Sequence, residues 1–124
     1  MICWTILKGF KRIFNKPGKS GHRYLNIKKD PNSSIKGVLI KVTEDEFEEL
    51  EKREYGYTAC DVTAQIDMEL PRDAVVYAFI SPPFSGFTIS RAYLDTVLAA
   101  LPEEERGQWI QETDFEGAEI DEEN

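Results

Sequence analysis

The sequence of 124 residues contains one histidine, two cysteines and no long apolar run. A lone histidine, His22, does not supply the several imidazoles of a typical histidine-based zinc site, and Cys3 and Cys60 lack the CxxC spacing of a metal knuckle or redox pair. The longest clean apolar run near the start, residues 1–7, is too short to cross a bilayer. These shortages argue against a metal centre, a thiol redox site and a membrane partner.

The motifs that bind nucleotides are missing as well. The sequence has no GxGxxG, no GxxxxGK[ST] and no HExxH pattern, so neither a dinucleotide fold, a P-loop nor a zinc protease is indicated. No basic region precedes the apolar run at residues 1–7, and no small-residue cleavage site follows it. We therefore expect a protein without a signal peptide, located in the cytoplasm.

Charge is distributed unevenly along the chain, whose net charge is −8. Residues 1–29 carry eight basic groups and no acid, whereas residues 103–124 carry ten acids and one base. A basic end can bind nucleic acid, but no RNP-like or helix-turn-helix pattern accompanies it, which favours a solvated surface and no nucleic-acid partner. Residues 116–124 are acidic and poor in large apolar groups, which predicts a flexible tail after a single domain at residues 1–115.

Apolar alternation and turn residues predict five strands. A break is expected near Gly9, and the segment Asp30-Pro31-Asn32-Ser33 is expected to form a turn. The uninterrupted apolar run at the last strand predicts that it is buried. The predicted strands are residues 2–7, 23–28, 35–42, 57–66 and 75–80.

Helix signals follow the third predicted strand. Thr43 and Glu46 have the spacing of a capping box, which predicts a helix over residues 43–53 with Phe47 and Leu50 as its apolar stripe.

A second helix is predicted over residues 89–101, capped by Thr88 or Ser90, and an acidic third helix carrying Trp109 follows Pro102. Helices alternating with closely spaced strands indicate an α+β domain.

Glu54 lies at an unusual position for a carboxylate. It falls at the end of the first predicted helix, four residues after Leu50 and seven after Phe47, and hence on the apolar face. A negative charge at a helix C-terminus opposes the helix dipole, and such local conflicts are typical of functional sites. The alternative is a structural role, in which its carboxylate reaches solvent or pairs with Arg53 or Arg23.

Seven short segments, in order and spacing, resemble the γ-glutamylcyclotransferase superfamily, and the resemblance runs from about residue 6 to about residue 115. The first four are Gly9-Phe10-Lys11-Arg12-Ile13-Phe14, Tyr24–Ile27, Ile35–Val42 and Leu50–Tyr57. The later three are Val76-Tyr77, Ser90-Arg91-Ala92-Tyr93 and Trp109–Thr113.

This resemblance implies a mainly antiparallel curved sheet or small barrel with two to three flanking helices. It also implies an enzyme of glutathione metabolism, which cyclises a γ-glutamyl group to 5-oxoproline and releases an amine without metal or cofactor. Glu54 is carried over as the catalytic acid/base, and Glu51 stands where the family usually has aspartate. Tyr57, Tyr77 and Tyr93 are carried over as substrate-binding residues, although each would serve nearly as well in a core.

The family usually opens with a strand and a Tyr-Gly-Ser-like loop, for which this sequence shows no counterpart. The resemblance therefore implies an N-terminally incomplete domain, in which either the protein is longer or the loop has been lost. It also implies an open sheet edge beside residues 2–7, through which the chain would self-associate. The expected partner is a small γ-glutamyl substrate. The alternative function is a non-catalytic binding or regulatory domain of the same fold.

Overall fold

The structure, a computed structural model, describes residues 2–18, 21–84 and 86–122. Its contacts divide the chain into two compact units. Unit 1 comprises Met1–Lys11 and Ile27–Ser81, and unit 2 comprises Arg12–Asn26 and Pro82–Asn124. The single domain over residues 1–115 stays a prediction.

A long hairpin opens the chain. Strand β1 runs over Ile2–Pro17 and strand β2 over Arg23–Ile40, and the two are neighbours in one sheet. Only residues 18–22 separate them, and because parallel neighbours need a crossover of a dozen or more residues, the pair is antiparallel.

Two expected interruptions of these strands were wrong. Gly9 does not end β1, because it adopts a φ of 80° that glycine tolerates within the extended chain. In β2, the carboxylate of Asp30 accepts hydrogen bonds from the Asn32 amide at 3.1 Å and the Ser33 hydroxyl at 2.9 Å. The turn chemistry read from the sequence is thus present, but it is accommodated inside a continuous strand.

Unit 1 continues with a helix and a second antiparallel pair. Helix α1 spans Glu44–Arg53, β3 spans Thr58–Asp61 and β4 spans Tyr77–Ile80. In the pair, Thr58 lies opposite Ile80 and Asp61 opposite Tyr77. The core of unit 1 is formed by Phe10, Ile35 and Val62.

Both predicted strands in this region differ from the observed ones. The strand expected over residues 57–66 ends at Asp61, whose carboxylate accepts from the amide and hydroxyl of Thr63 at 3.0 and 2.7 Å and so turns the chain into a 3-10 helix. The strand expected to be buried over residues 75–80 has Val75 53% and Tyr77 47% exposed. The uninterrupted apolar run predicts a buried strand, but these side chains line a cavity.

Unit 2 contains the other two helices. Ser90 caps α2, its hydroxyl accepting from the Tyr93 amide at 3.2 Å, which decides between the two predicted caps. The core of unit 2 is built on Phe14, Ile89, Leu94 and Trp109. The elements are β5 at Ile89–Ser90, α2 at Arg91–Ala99, α3 at Glu103–Glu112, β6 at Thr113–Asp114 and β7 at Ile120–Asp121.

The predicted α+β class is confirmed. Three helices accompany strands whose described residues form three separate sheets, none of them closed into a barrel. The longer pairs are antiparallel, and among the described strands the two-residue strands β6 and β7 pair in parallel, with β1 and β5 respectively. Within the described part of the chain, no helix has the length and apolar character needed to cross a membrane.

The acidic C-terminal segment makes several contacts within unit 2. A Glu116 carboxylate oxygen lies 3.0 Å from an Arg23 guanidinium nitrogen, and an Asp121 oxygen lies 3.0 Å from Nε2 of His22. Strand β7 pairs with β5. The segment holds few large apolar groups, and its composition therefore predicts a flexible tail. Composition does not reveal that the acidic side chains of the segment contact basic side chains elsewhere in unit 2. Flexibility itself stays a prediction.

Replacing Glu116 with Gln should lower the free energy of unfolding by about 1–3 kcal/mol, because the Arg23 side chain is only 7% exposed and would lose the charge of its partner. Urea denaturation measures the difference. The matched control is Glu119→Gln, an exposed acid of the same segment, which should change stability by no more than about 0.5 kcal/mol. Equal stability of both variants would show that the Arg23–Glu116 pair does not hold the segment.

Candidate functional site

Helix α1 is fixed at its start by a capping box. The Thr43 hydroxyl accepts from the Glu46 amide at 3.2 Å, and the Glu46 carboxylate accepts from the Thr43 amide at 2.9 Å. The hydrogen bond from the Thr43 amide holds the pKa of Glu46 below its ordinary value. None of the residues of α1 is buried, so this helix lies on the surface and depends on its cap and its apolar stripe.

The apolar stripe of α1 packs on one face of β4. The ring of Phe47 lies 5.0 Å from that of Tyr77 and 6.0 Å from that of Phe79, with the planes of the second pair 25° apart. Tyr77 and Phe79 are two residues apart and therefore point to the same side of their strand. The rings of Phe47, Tyr77 and Phe79, which we call the aromatic group, set the position of α1 within unit 1.

A cavity of about 710 Å³ lies beside this aromatic group in unit 1, and we call it the α1 cavity. Its size falls in the range of small-molecule sites. Phe47 and Leu50 line it from α1, and Tyr77 and Phe79 line it from β4. The rest of the lining comes from Cys3, from residues 38–42 and from residues 68–76.

The predicted acid/base, Glu54, is the C-terminal cap of α1 and is half-buried. Its amide donates to the Leu50 carbonyl at 2.9 Å, and its own carbonyl accepts from the Tyr57 amide at 3.0 Å. Tyr57 is half-buried directly before β3. Neither Glu54 nor Tyr57 lines the α1 cavity, whereas Tyr77 does.

Tyr93, the fourth predicted site residue, belongs to α2 in unit 2. Its hydroxyl accepts from the Leu25 amide at 3.4 Å, and its ring meets those of Phe14 and Tyr24 edge-on at 6.3 and 4.9 Å. These contacts are those of a packing residue. The functional roles of Glu54 and the three tyrosines stay predictions.

Phe47, Leu50 and Phe79 were not expected to line a cavity. The sequence indicated the first two only as a stripe that packs on the sheet, and a stripe gives no sign of how completely it is covered. Residues 68–76 show no helical or strand periodicity of apolar residues, so their part of the cavity lining could not be predicted. Among the described residues, no three His, Cys, Asp or Glu side chains converge as for a metal ion.

Comparison with solved structures identifies the fold. An uncharacterized protein from Homo sapiens superimposes with a TM-score of 0.67 at 17% identity, and a γ-glutamyl cyclotransferase with a TM-score of 0.59 at 16% identity. The chain has a γ-glutamyl cyclotransferase-like fold. In each comparison 98% of this chain and 79% of the other chain are covered.

No family model and no curated protein sequence matches the chain. At such low identity the likeness establishes the γ-glutamyl cyclotransferase-like fold alone.

Thr43→Ala should destabilise the protein by about 1 kcal/mol, because the Glu46 amide at the start of α1 loses its acceptor. Chemical denaturation followed by circular dichroism measures the change. Thr43→Ser keeps the hydroxyl and is the matched control, so its stability should stay close to that of the unmodified protein. A loss as large in the serine variant as in the alanine variant would show that the cap hydrogen bond is not the cause.

Proposed function

We propose that the protein is a γ-glutamyl cyclotransferase-type enzyme, which converts a γ-glutamyl amide into 5-oxoproline and a free amine. The observation that carries the proposal is a half-buried glutamate, Glu54, at the C-terminal end of α1 in a chain with this fold. The substrate is accordingly a small γ-glutamyl compound.

The backbone geometry favours a carboxylate directed along the apolar stripe. Glu54 follows Leu50 by four residues, so it lies about 6 Å further along the axis on nearly the same face. Its φ of −85° is near the helical value and keeps its Cβ close to the helical direction, while its ψ of 53° ends the helix at this residue. Helical side chains tilt toward the N-terminus, which favours a Glu54 side chain that lies over the turn containing Leu50.

The proposed reaction is an intramolecular acyl transfer. The α-amino nitrogen attacks the γ-carbonyl carbon, the new C–N bond closes a five-membered ring, and the old amide C–N bond breaks. The α-ammonium loses two protons in all, and the leaving nitrogen gains two. Glu54 can transfer these two protons one after the other, and it is a carboxylate again at the end of the reaction. The amine and the carbonyl belong to one molecule, and this proximity supplies much of the rate acceleration. The main contribution required of Glu54 is proton transfer.

The α1 cavity also supports a second candidate, a domain that binds a small molecule without turning it over. Its volume of about 710 Å³ suffices for a ligand, and it stands beside the aromatic group rather than around Glu54. The two candidates differ in one respect, since only the enzyme releases 5-oxoproline from a γ-glutamyl compound.

Glu54→Gln should lower the rate of 5-oxoproline release by about 100-fold or more, the usual contribution of general acid–base catalysis. The change keeps size and hydrogen bonding and removes proton transfer. Chromatographic detection of 5-oxoproline from γ-glutamyl amides measures it, with circular dichroism to confirm folding.

The matched control is Glu51→Gln. Glu51 is exposed and lies about 100° around the helix from Leu50 and about 60° from Glu54, so its loss should leave the rate within about threefold. Full activity in the Glu54 variant, or a large loss in the Glu51 variant instead, would overturn the assignment of the acid/base.

A further inference from the structure

The α1 cavity has walls that suit an apolar side chain. Phe47, Tyr77 and Phe79 present aromatic rings, and Met68 and Val75 are 43% and 53% exposed beside them. Large side chains that stay exposed in this way gain free energy when a ligand removes them from water.

The charged groups around the cavity do not favour a charged ligand of either sign. Two are basic and two are acidic, so their formal charges cancel. No excess of one sign selects a cationic or anionic side chain, and apolar contact is left as the main source of selectivity. The four residues are Lys41, Arg72, Glu69 and Asp73.

Position along α1 connects the cavity to the proposed acid/base. Leu50 lies about 6 Å and Phe47 about 10 Å before Glu54 along the helix axis, on nearly the same face, and both line the cavity. A leaving amine that extends from Glu54 toward Leu50 brings its side chain to the cavity. A larger side chain reaches further along this line than a hydrogen atom or a methyl group.

We infer that the α1 cavity holds the side chain of the leaving amine, and that the preferred substrates are γ-glutamyl amides of amines with an aromatic or branched apolar side chain. This inference rests on the proposed cyclotransferase function. It adds the substrate class, which is set by Leu50 and the aromatic group rather than by Glu54.

The test compares kcat/KM for γ-glutamyl-L-phenylalanine, γ-glutamylglycine and γ-glutamyl-L-aspartate, with 5-oxoproline as the readout. Burial of one large apolar group is expected to favour the phenylalanine compound over the glycine compound by at least about 10-fold. The aspartate compound should be no better than the glycine compound.

A pair of variants locates the preference. Met68 lines the cavity and Ile110 lies on α3 in unit 2, and both are 43% exposed. Met68→Asn should reduce the phenylalanine-to-glycine ratio by at least about threefold, because it places an amide in the apolar wall. Ile110→Asn, a matched loss of an exposed apolar group, should leave the ratio unchanged.

The outcomes separate the two levels of the proposal. Absence of 5-oxoproline from all three compounds would overturn the proposed function, and this inference with it. Turnover with equal kcat/KM for the phenylalanine and glycine compounds, or a preference that Met68→Asn leaves intact, would overturn the inference while the proposed function stands.

Discussion

The hydrogen bond between the side-chain amides of Asn15 and Asn26 fixes how β1 pairs with β2. The donor and acceptor atoms are 2.8 Å apart, and the two residues are 2% and 5% exposed. A slip of one residue would turn every side chain to the opposite face and separate two buried amides, at a cost of about 1–3 kcal/mol for each group left unsatisfied. Phe14, the neighbour of Asn15 in β1, is fully buried in the core of unit 2.

The end of β2 determines where the candidate site begins. β2 ends at Ile40, and the capping box at Thr43 starts α1 three residues later. Because α1 has no buried residue, its orientation is set by this entry point and by Phe47, whose ring stacks on β4. Glu54 lies at the end of this helix, whose start is fixed by the cap at Thr43 and whose rotation is fixed by the contact of Phe47 with β4. The catalytic proposal therefore depends on local chemistry at Thr43 as much as on the carboxylate itself.

Features decided by a few neighbouring residues could be predicted from the sequence. The capping box at Thr43 was among these, and so was a hydroxyl cap for α2 at Thr88 or Ser90, because a hydroxyl and an amide three residues apart need no other partner. Strand limits could not be predicted, since a paired neighbour carries the chain through local turn signals such as those at Gly9 and Asp30. The α1 cavity was likewise out of reach, because periodicity shows which face is apolar and not whether Tyr77 on that face is covered.

In the proposed reaction, an amine within the substrate, not water, attacks the γ-carbonyl. Mass spectrometry of the products formed from a γ-glutamyl amide in water enriched in ¹⁸O tests it most directly. Intramolecular attack predicts 5-oxoproline that carries no ¹⁸O, because both of its carboxylate oxygens and its lactam oxygen come from the substrate. Glutamate with one ¹⁸O in its γ-carboxylate as the first product would mean that water attacks, and it would contradict the account.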